Sequence, residues 1–181
     1  MTPAPQVLRV FLPIVQKSPF PDLVVEQLGS SGGSVQLTIR NTGSAPATEP
    51  FWVDVYIDPN TPPVGVNQIW NTMGTQGLTW GVTADALPLG PGASLTLTVG
   101  DPFFRPEYSL VNGPVPAGTP LFAQVDSYNA ATNYGAVREG HEVFGQPYNN
   151  IGSATAAAQL RIPPALATAP RSSDGLPTRR N

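Results

Sequence analysis

Apolar residues recur at every second position in several short stretches of the chain, the period of a half-buried β-strand. In "SVQLTIRN" (Ser34–Asn41), Val35, Leu37 and Ile39 share one face while Gln36, Thr38 and Arg40 share the other. "ASLTLTVG" repeats the pattern, with Leu95, Leu97 and Val99 inward against Ser94, Thr96 and Thr98. "TPLFAQVDSYN" (Thr119–Asn129) sets Leu121, Ala123 and Val125 against Phe122, Gln124, Asp126 and Tyr128. "PDLVVEQL" (Pro21–Leu28) reads as a first strand with Leu23 and Val25 inward. "IGSATAAAQLRI" could supply the last strand, although its alanines suit a short helix equally well. "PFWVDVYID" (Pro50–Asp58) departs from the pattern. Phe51, Val53, Val55 and Ile57 form its apolar face, yet the opposite face carries Trp52, Asp54, Tyr56 and Asp58.

The strands are separated by Pro/Gly-rich connections, and the chain holds 22 Pro and 18 Gly. Some six or seven turn-separated strands without a convincing helical period predict an all-β chain folded as a two-sheet antiparallel β-sandwich. One connection, residues 59–92, is too long for a structureless loop. It contains Trp70 and Trp80 and is expected to pack on the body or to contain short strands of its own.

Charge narrows the choice of partner. Residues 18–152 hold three Arg against eleven Asp and Glu, a net −8, while the two ends sum to +5. An acidic body repels phosphate backbones, so nucleic acid is not an expected partner. The chain contains no cysteine, which excludes disulfides, thiolate metal sites and cysteine nucleophiles. No run approaches the ~20 apolar residues of a membrane helix. "VLRVFLPIV" (Val7–Val15) is interrupted by Pro13 and lacks a cleavage site, so it does not read as a signal peptide.

Taken in order, "PDLVV", "VQLTIRNTGSAPA", "FWVDVYID", "LPLGPGASLTLTV" and "AQVDSYN", followed by acidic residues and "YNN", resemble the CARDB module, a cell-adhesion-related domain found in bacteria. The shared landmarks are "NTG", "PGAS" and "VDSYN", and the resemblance spans roughly residues 20–155. It implies an immunoglobulin-like sandwich, repeated or appended on secreted and surface proteins, with no catalytic residues to carry over. The segment "VFLPIVQK" also resembles a short apolar motif that follows Thr/Pro-rich linkers in exported proteins of some filamentous bacteria. The long 59–92 insertion and the roughly twenty residues between "VDSYN" and "YNN" depart from the family's usual pattern.

Catalytic constellations are not apparent. His141 is the sole histidine, "HEVFG" lacks the second histidine of a zinc helix, and no G-x-S-x-G elbow occurs. Two candidate binding regions remain. Asp126, Asn129, Glu139 and Glu142, with Asn149 and Asn150 nearby, are hard oxygen ligands around one strand end and could hold calcium. The same residues also serve as turn formers bonded to their own backbone, and no cofactor is then required. On the outward faces of two neighbouring strands, Trp52 and Tyr56 stand beside Phe122 and Tyr128. Such a patch suits stacking on sugars or a protein interface. Alternatively, the insertion folds over it, with Trp70, Trp80, Ile69 and Leu78 completing a second small core.

The sequence therefore predicts an N-terminal Pro-rich and apolar segment (1–19), a CARDB-like sandwich (20–160) and a disordered tail (161–181). Its expected role is that of a non-catalytic adhesion, interaction or spacer module of a bacterial exported or cell-surface protein, extracellular, with a protein or glycan partner. Two other roles fit the residues: a surface-filament subunit that self-associates through residues 7–15, or an accessory carbohydrate-binding module of a secreted enzyme.

Overall fold

The computed structural model describes residues 19–31, 33–162 and 175–179. Residues 7–15, expected to mediate self-association, and residues 163–174 of the expected tail lie outside the described residues. Seven strands carry the fold: β1 (Leu23–Ser31), β2 (Ser34–Asn41), β3 (Phe51–Ile57), β4 (Gln76–Val82), β5 (Ser94–Thr98), β6 (Pro120–Val125) and β7 (Ile151–Thr155). Two short helices, α1 (Trp70–Met73) and α2 (Gly140–Phe144), lie in the connections. The strands form two antiparallel sheets, ordered β1-β2-β5 and β4-β3-β6-β7. That is immunoglobulin-type connectivity, in which the second sheet takes an additional edge strand beside the third strand of the chain.

The inward faces supply the core. Leu37 and Ile39 of β2, Val53 and Val55 of β3, Leu97 of β5 and Leu121 and Val125 of β6 are all fully buried. On β2 the alternation read from sequence survives intact, with Gln36 exposed between Val35 and Leu37. β1 follows the alternation to Val25 and then breaks register between Val25 and Gln27, a β-bulge. The last apolar segment becomes β7 over Ile151–Thr155, and its alanines form no helix.

β3 is buried at all seven positions, which resolves its two-faced sequence. It lies second from the edge, paired on one side with β4 and on the other with β6. β4 is the central part of the expected insertion. Residues directly opposite in an antiparallel pair share a face, and Val53 is opposite Trp80 while Val55 is opposite Leu78. Trp80 and Leu78 therefore join the main core, not a second one, contrary to the sequence expectation. The Trp80 indole donates to the Thr98 carbonyl at 3.0 Å and meets Phe104 edge-on.

The "NTG" segment has a specific job at one end of the sandwich. Asn41 is fully buried, and its amide donates to the Ala45 and Leu89 carbonyls, both at 2.8 Å. Its Oδ1 accepts from the Asp22 and Gly43 amides at 3.1 and 3.0 Å. All of its side-chain capacity goes into joining the start of β1, the end of β2 and the approach to β5. A buried amide so fully paired fixes loop geometry, because any replacement strands several polar groups.

Candidate functional site

Two regions outside the main core concentrate chemistry-bearing side chains. The first is the outer face of the four-stranded sheet. Trp52, Asp54 and Tyr56 project there from β3, opposite Gly81, Thr79 and Gly77 of β4, with Gln124 and Phe122 on the β6 side. Asp54 is fully buried, although its strand face looks away from the core. Its Oδ1 accepts from the Thr79 hydroxyl at 2.8 Å. Arg179 then grips both oxygens, Nη2 on Oδ1 at 2.7 Å and Nη1 on Oδ2 at 3.0 Å. The guanidinium also lies 5.4–5.9 Å from the ring centres of Trp52, Tyr108 and Tyr128, within cation–π range.

Three segments of the chain lay themselves over this face. The insertion contributes α1, whose Trp70 indole donates to the Tyr108 carbonyl at 2.8 Å and to the Thr79 hydroxyl at 3.1 Å. The Trp70 ring rests on Gly77, where a methyl group would collide with it. Residues 103–110 run along β4, with Gly81 donating to Phe103, Arg105 to Thr79 and Leu110 to Gly77, each at 2.9 Å. This contact also closes an otherwise open sheet edge. Residues 175–179 supply the third cover. Leu176 sits against Gly81, and the Trp52 indole donates to the Pro177 carbonyl at 2.7 Å. These five residues were expected in a disordered tail; they dock because Arg179 answers a carboxylate that would otherwise be buried without a cation.

Of the aromatic residues singled out in the sequence, Trp52, Tyr56, Trp70 and Trp80 are buried, and Phe122 and Tyr128 are half-buried. The Tyr56 hydroxyl lies within hydrogen-bond distance of the Gln68 carbonyl and of Gln124 Oε1, and burial raises its pKa well above the ordinary tyrosine value. Gln124 in turn donates to the Gly65 carbonyl at 2.9 Å and the Tyr148 hydroxyl at 2.7 Å. The insertion is thus pinned to the sheet by polar contacts as well as by apolar ones.

The second region lies where β1 begins and β2 ends. The loop between β6 and β7 brings Glu139, His141 and Glu142 against Asp22, and Gly140 donates to the Pro21 carbonyl at 3.1 Å. Glu139 caps α2 reciprocally with Glu142, and its carboxylate also accepts from the Leu23 amide and from Asn150. His141 Nδ1 is 3.6 Å from Asp22 Oδ1 and 4.0 Å from Glu139 Oε2, while Nε2 is 3.8 Å from Glu142 Oε1. The imidazole is 4% exposed, and among the described residues neither nitrogen has a hydrogen-bond partner. Burial pushes Glu139 up to about 9 and Glu142 to about 7, and it lowers His141.

The four oxygen ligands weighed for calcium divide between two jobs. Glu139 and Glu142 join this cluster. Asp126, at φ 50°, accepts the Ala136 and Val137 amides at 2.8 Å, and burial raises its carboxyl to about 8. Asn129 accepts from Ala131 and donates to the Gly135 carbonyl. Both act as loop formers, the turn chemistry that the sequence also suggested. Asp22 and His141 are the members that sequence reasoning missed. Asp22 stands 117 positions before Glu139, and the lone histidine has no sequence neighbour that marks it as a ligand.

No protein-family model and no curated protein matches the chain. Among solved structures, the chain is similar to the CARDB domain of a Pyrococcus furiosus protein, solved in complex with di-metal ions. The identity is 21%, with 77% of this chain and 94% of that one covered, at a TM-score of 0.41. Two structures of a β-glucosidase from Kluyveromyces marxianus, one in complex with glucose, also match, at 12% and 15% identity and TM-scores of 0.33 and 0.29. In each case 78% of this chain aligns with only 14% of the enzyme.

Proposed function

We propose that the chain is a non-catalytic interaction module of a bacterial exported or cell-surface protein, making its contacts through the loop end of the sandwich. The observation that carries this reading is the sealing of the aromatic face. Asp54, the most deeply set carboxylate there, is committed to Arg179, and the rings around it are covered by three segments of the same chain. A sandwich closed on that face is left with its loops for recognition. At the loop end two large apolar side chains stand exposed, Val64 at 73% and Phe144 at 56%. They border clefts that share His141 and Gln146. Among the described residues no helix is long and apolar enough to cross a membrane.

The test is to present the purified chain to glycan and cell-surface protein arrays beside the double variant Val64→Asp/Phe144→Asp. Binding that the double variant loses at unchanged melting temperature supports the reading. Binding unaffected by the double substitution, or turnover of any glycoside, overturns it.

A further inference from the structure

Neither nitrogen of the buried His141 imidazole is satisfied by a hydrogen bond, although carboxylates stand 3.6 and 4.0 Å from Nδ1 and 3.8 Å from Nε2. We infer that Asp22, Glu139 and His141 form a binding site for a divalent transition metal of the zinc class, with Glu142 as the residue that orients the histidine. The inference stands apart from the interaction reading above and does not depend on it.

Each of the three residues offers one ligand atom, and these atoms all lie within 4.8 Å of one another. Tetrahedral ligands at ~2.1 Å from a zinc ion stand ~3.4 Å apart. The observed 3.6 Å from His141 Nδ1 to Asp22 Oδ1 and 4.0 Å to Glu139 Oε2 are close to that spacing, and the two carboxylate oxygens, within 4.8 Å of each other, would draw together around the ion. The donor set selects the metal. Calcium takes six to eight oxygens, whereas an imidazole with two carboxylates suits zinc and its neighbours. Asp22 and His141 also line a cleft of about 210 Å³ with Thr42, Gly140 and Gln146, so a fourth position can be filled by water.

The surroundings match what a metal-bound histidine requires. A ligating imidazole donates its other N–H to a carboxylate or carbonyl, which fixes its tautomer and orientation. Glu142 Oε1 stands 3.8 Å from Nε2 on the side of the ring away from Asp22 and Glu139. Asp22 is itself held by the Thr42 hydroxyl at 2.6 Å and by Asn149 at 2.9 Å. Glu139 is held by the Leu23 amide and Asn150. Both carboxylates are thus aimed before any ion arrives, and the ion would tie the start of β1 to the β6–β7 connection.

The full chain, stripped with a chelator and dialysed, would be titrated with zinc by calorimetry and with cobalt(II) by visible absorption. One ion per chain, a raised melting temperature and the intense visible bands of low-coordinate cobalt are expected. His141→Gln and Asp22→Asn should each abolish binding. Glu142→Gln, which keeps the helix cap, should weaken it about 10–100-fold while the metal-free protein stays folded. If His141→Gln fails to fold, Asp22→Asn at a partly exposed position carries the test alone. Absence of zinc binding, retention of full affinity in Asp22→Asn, or tighter binding of calcium than of zinc overturns the assignment.

Discussion

Arg179 and Asp54 stand 125 residues apart in the chain and meet in a two-point ion pair, Nη1 and Nη2 of the guanidinium each on one carboxylate oxygen. Neither side chain is more than 2% exposed. Removing one member of such a pair leaves an uncompensated buried charge, at a cost of about 3–5 kcal/mol. Arg179→Ala should therefore lower the unfolding free energy in urea by about that amount. Arg179→Lys should recover only part of it, since an ammonium cannot make the forked contact. The loss should persist in molar salt, because a buried pair is weakly screened. A loss below about 1 kcal/mol, the size of a surface pair, would mean that Asp54 finds water once the segment lifts.

Trp52 tests whether the outer aromatics serve the fold. Its indole donates to Pro177, stacks edge-on with Tyr108 at 5.3 Å and is 4% exposed. Trp52→Ala should cost about 3–5 kcal/mol, the range for deleting a buried aromatic. An intact melting curve combined with loss of glycan binding would assign the ring to a ligand instead.

Gly77 isolates the seat of the Trp70 ring. A methyl group there would strike the indole and the Val55 carbonyl region, whereas Gly90 has open space around it. Gly77→Ala should destabilise by about 1–3 kcal/mol, as overpacking does, with Gly90→Ala near neutral. Equal effects at the two positions would show that α1 does not rest on β4 in solution.

Metal-free protein should lose stability as the solution turns alkaline. Burial raises Glu142, Asp126 and Glu139 to about 7, 8 and 9, and repulsion from Glu142 adds to the other two shifts. Above the ordinary carboxylate range the folded state keeps these protons while the unfolded state has released them. The stabilisation is whole below the unfolded values and disappears as pH rises through the folded ones. His141, lowered by burial, acts in the opposite sense, its contribution falling away as pH drops. In the presence of a chelator, the melting temperature should fall steadily from about pH 6 to about pH 9. A flat profile across that window would show that the three carboxyls are hydrated in solution.

The strands themselves were plain in the sequence wherever one face was wet, as on β2, because water imposes the alternation. Where both faces are covered, the alternation loses its meaning, and β3 shows this best. The sequence could report that Trp52 and Tyr56 needed a cover but not which tryptophan supplied it. That depended on register: Trp80 lies opposite Val53 and so falls inward, leaving Trp70 alone on the outer side. The tail was harder still. Its composition is that of a linker, and nothing local to Arg179 announces a partner in the middle of β3. The same limit hid Asp22 from Glu139 and His141, since the cluster exists only once both ends of the chain have been folded together.

The clasp on Asp54 has a mechanical side. The last described residues lie not at the end of β7 but against the middle of the outer face, held there by Arg179, Trp52 and Leu176. Tension applied at the C-terminal end would reach this clasp before it reached the sheet hydrogen bonds of β7. The five-residue docking segment would then act as a fuse, yielding first while the sandwich stayed whole.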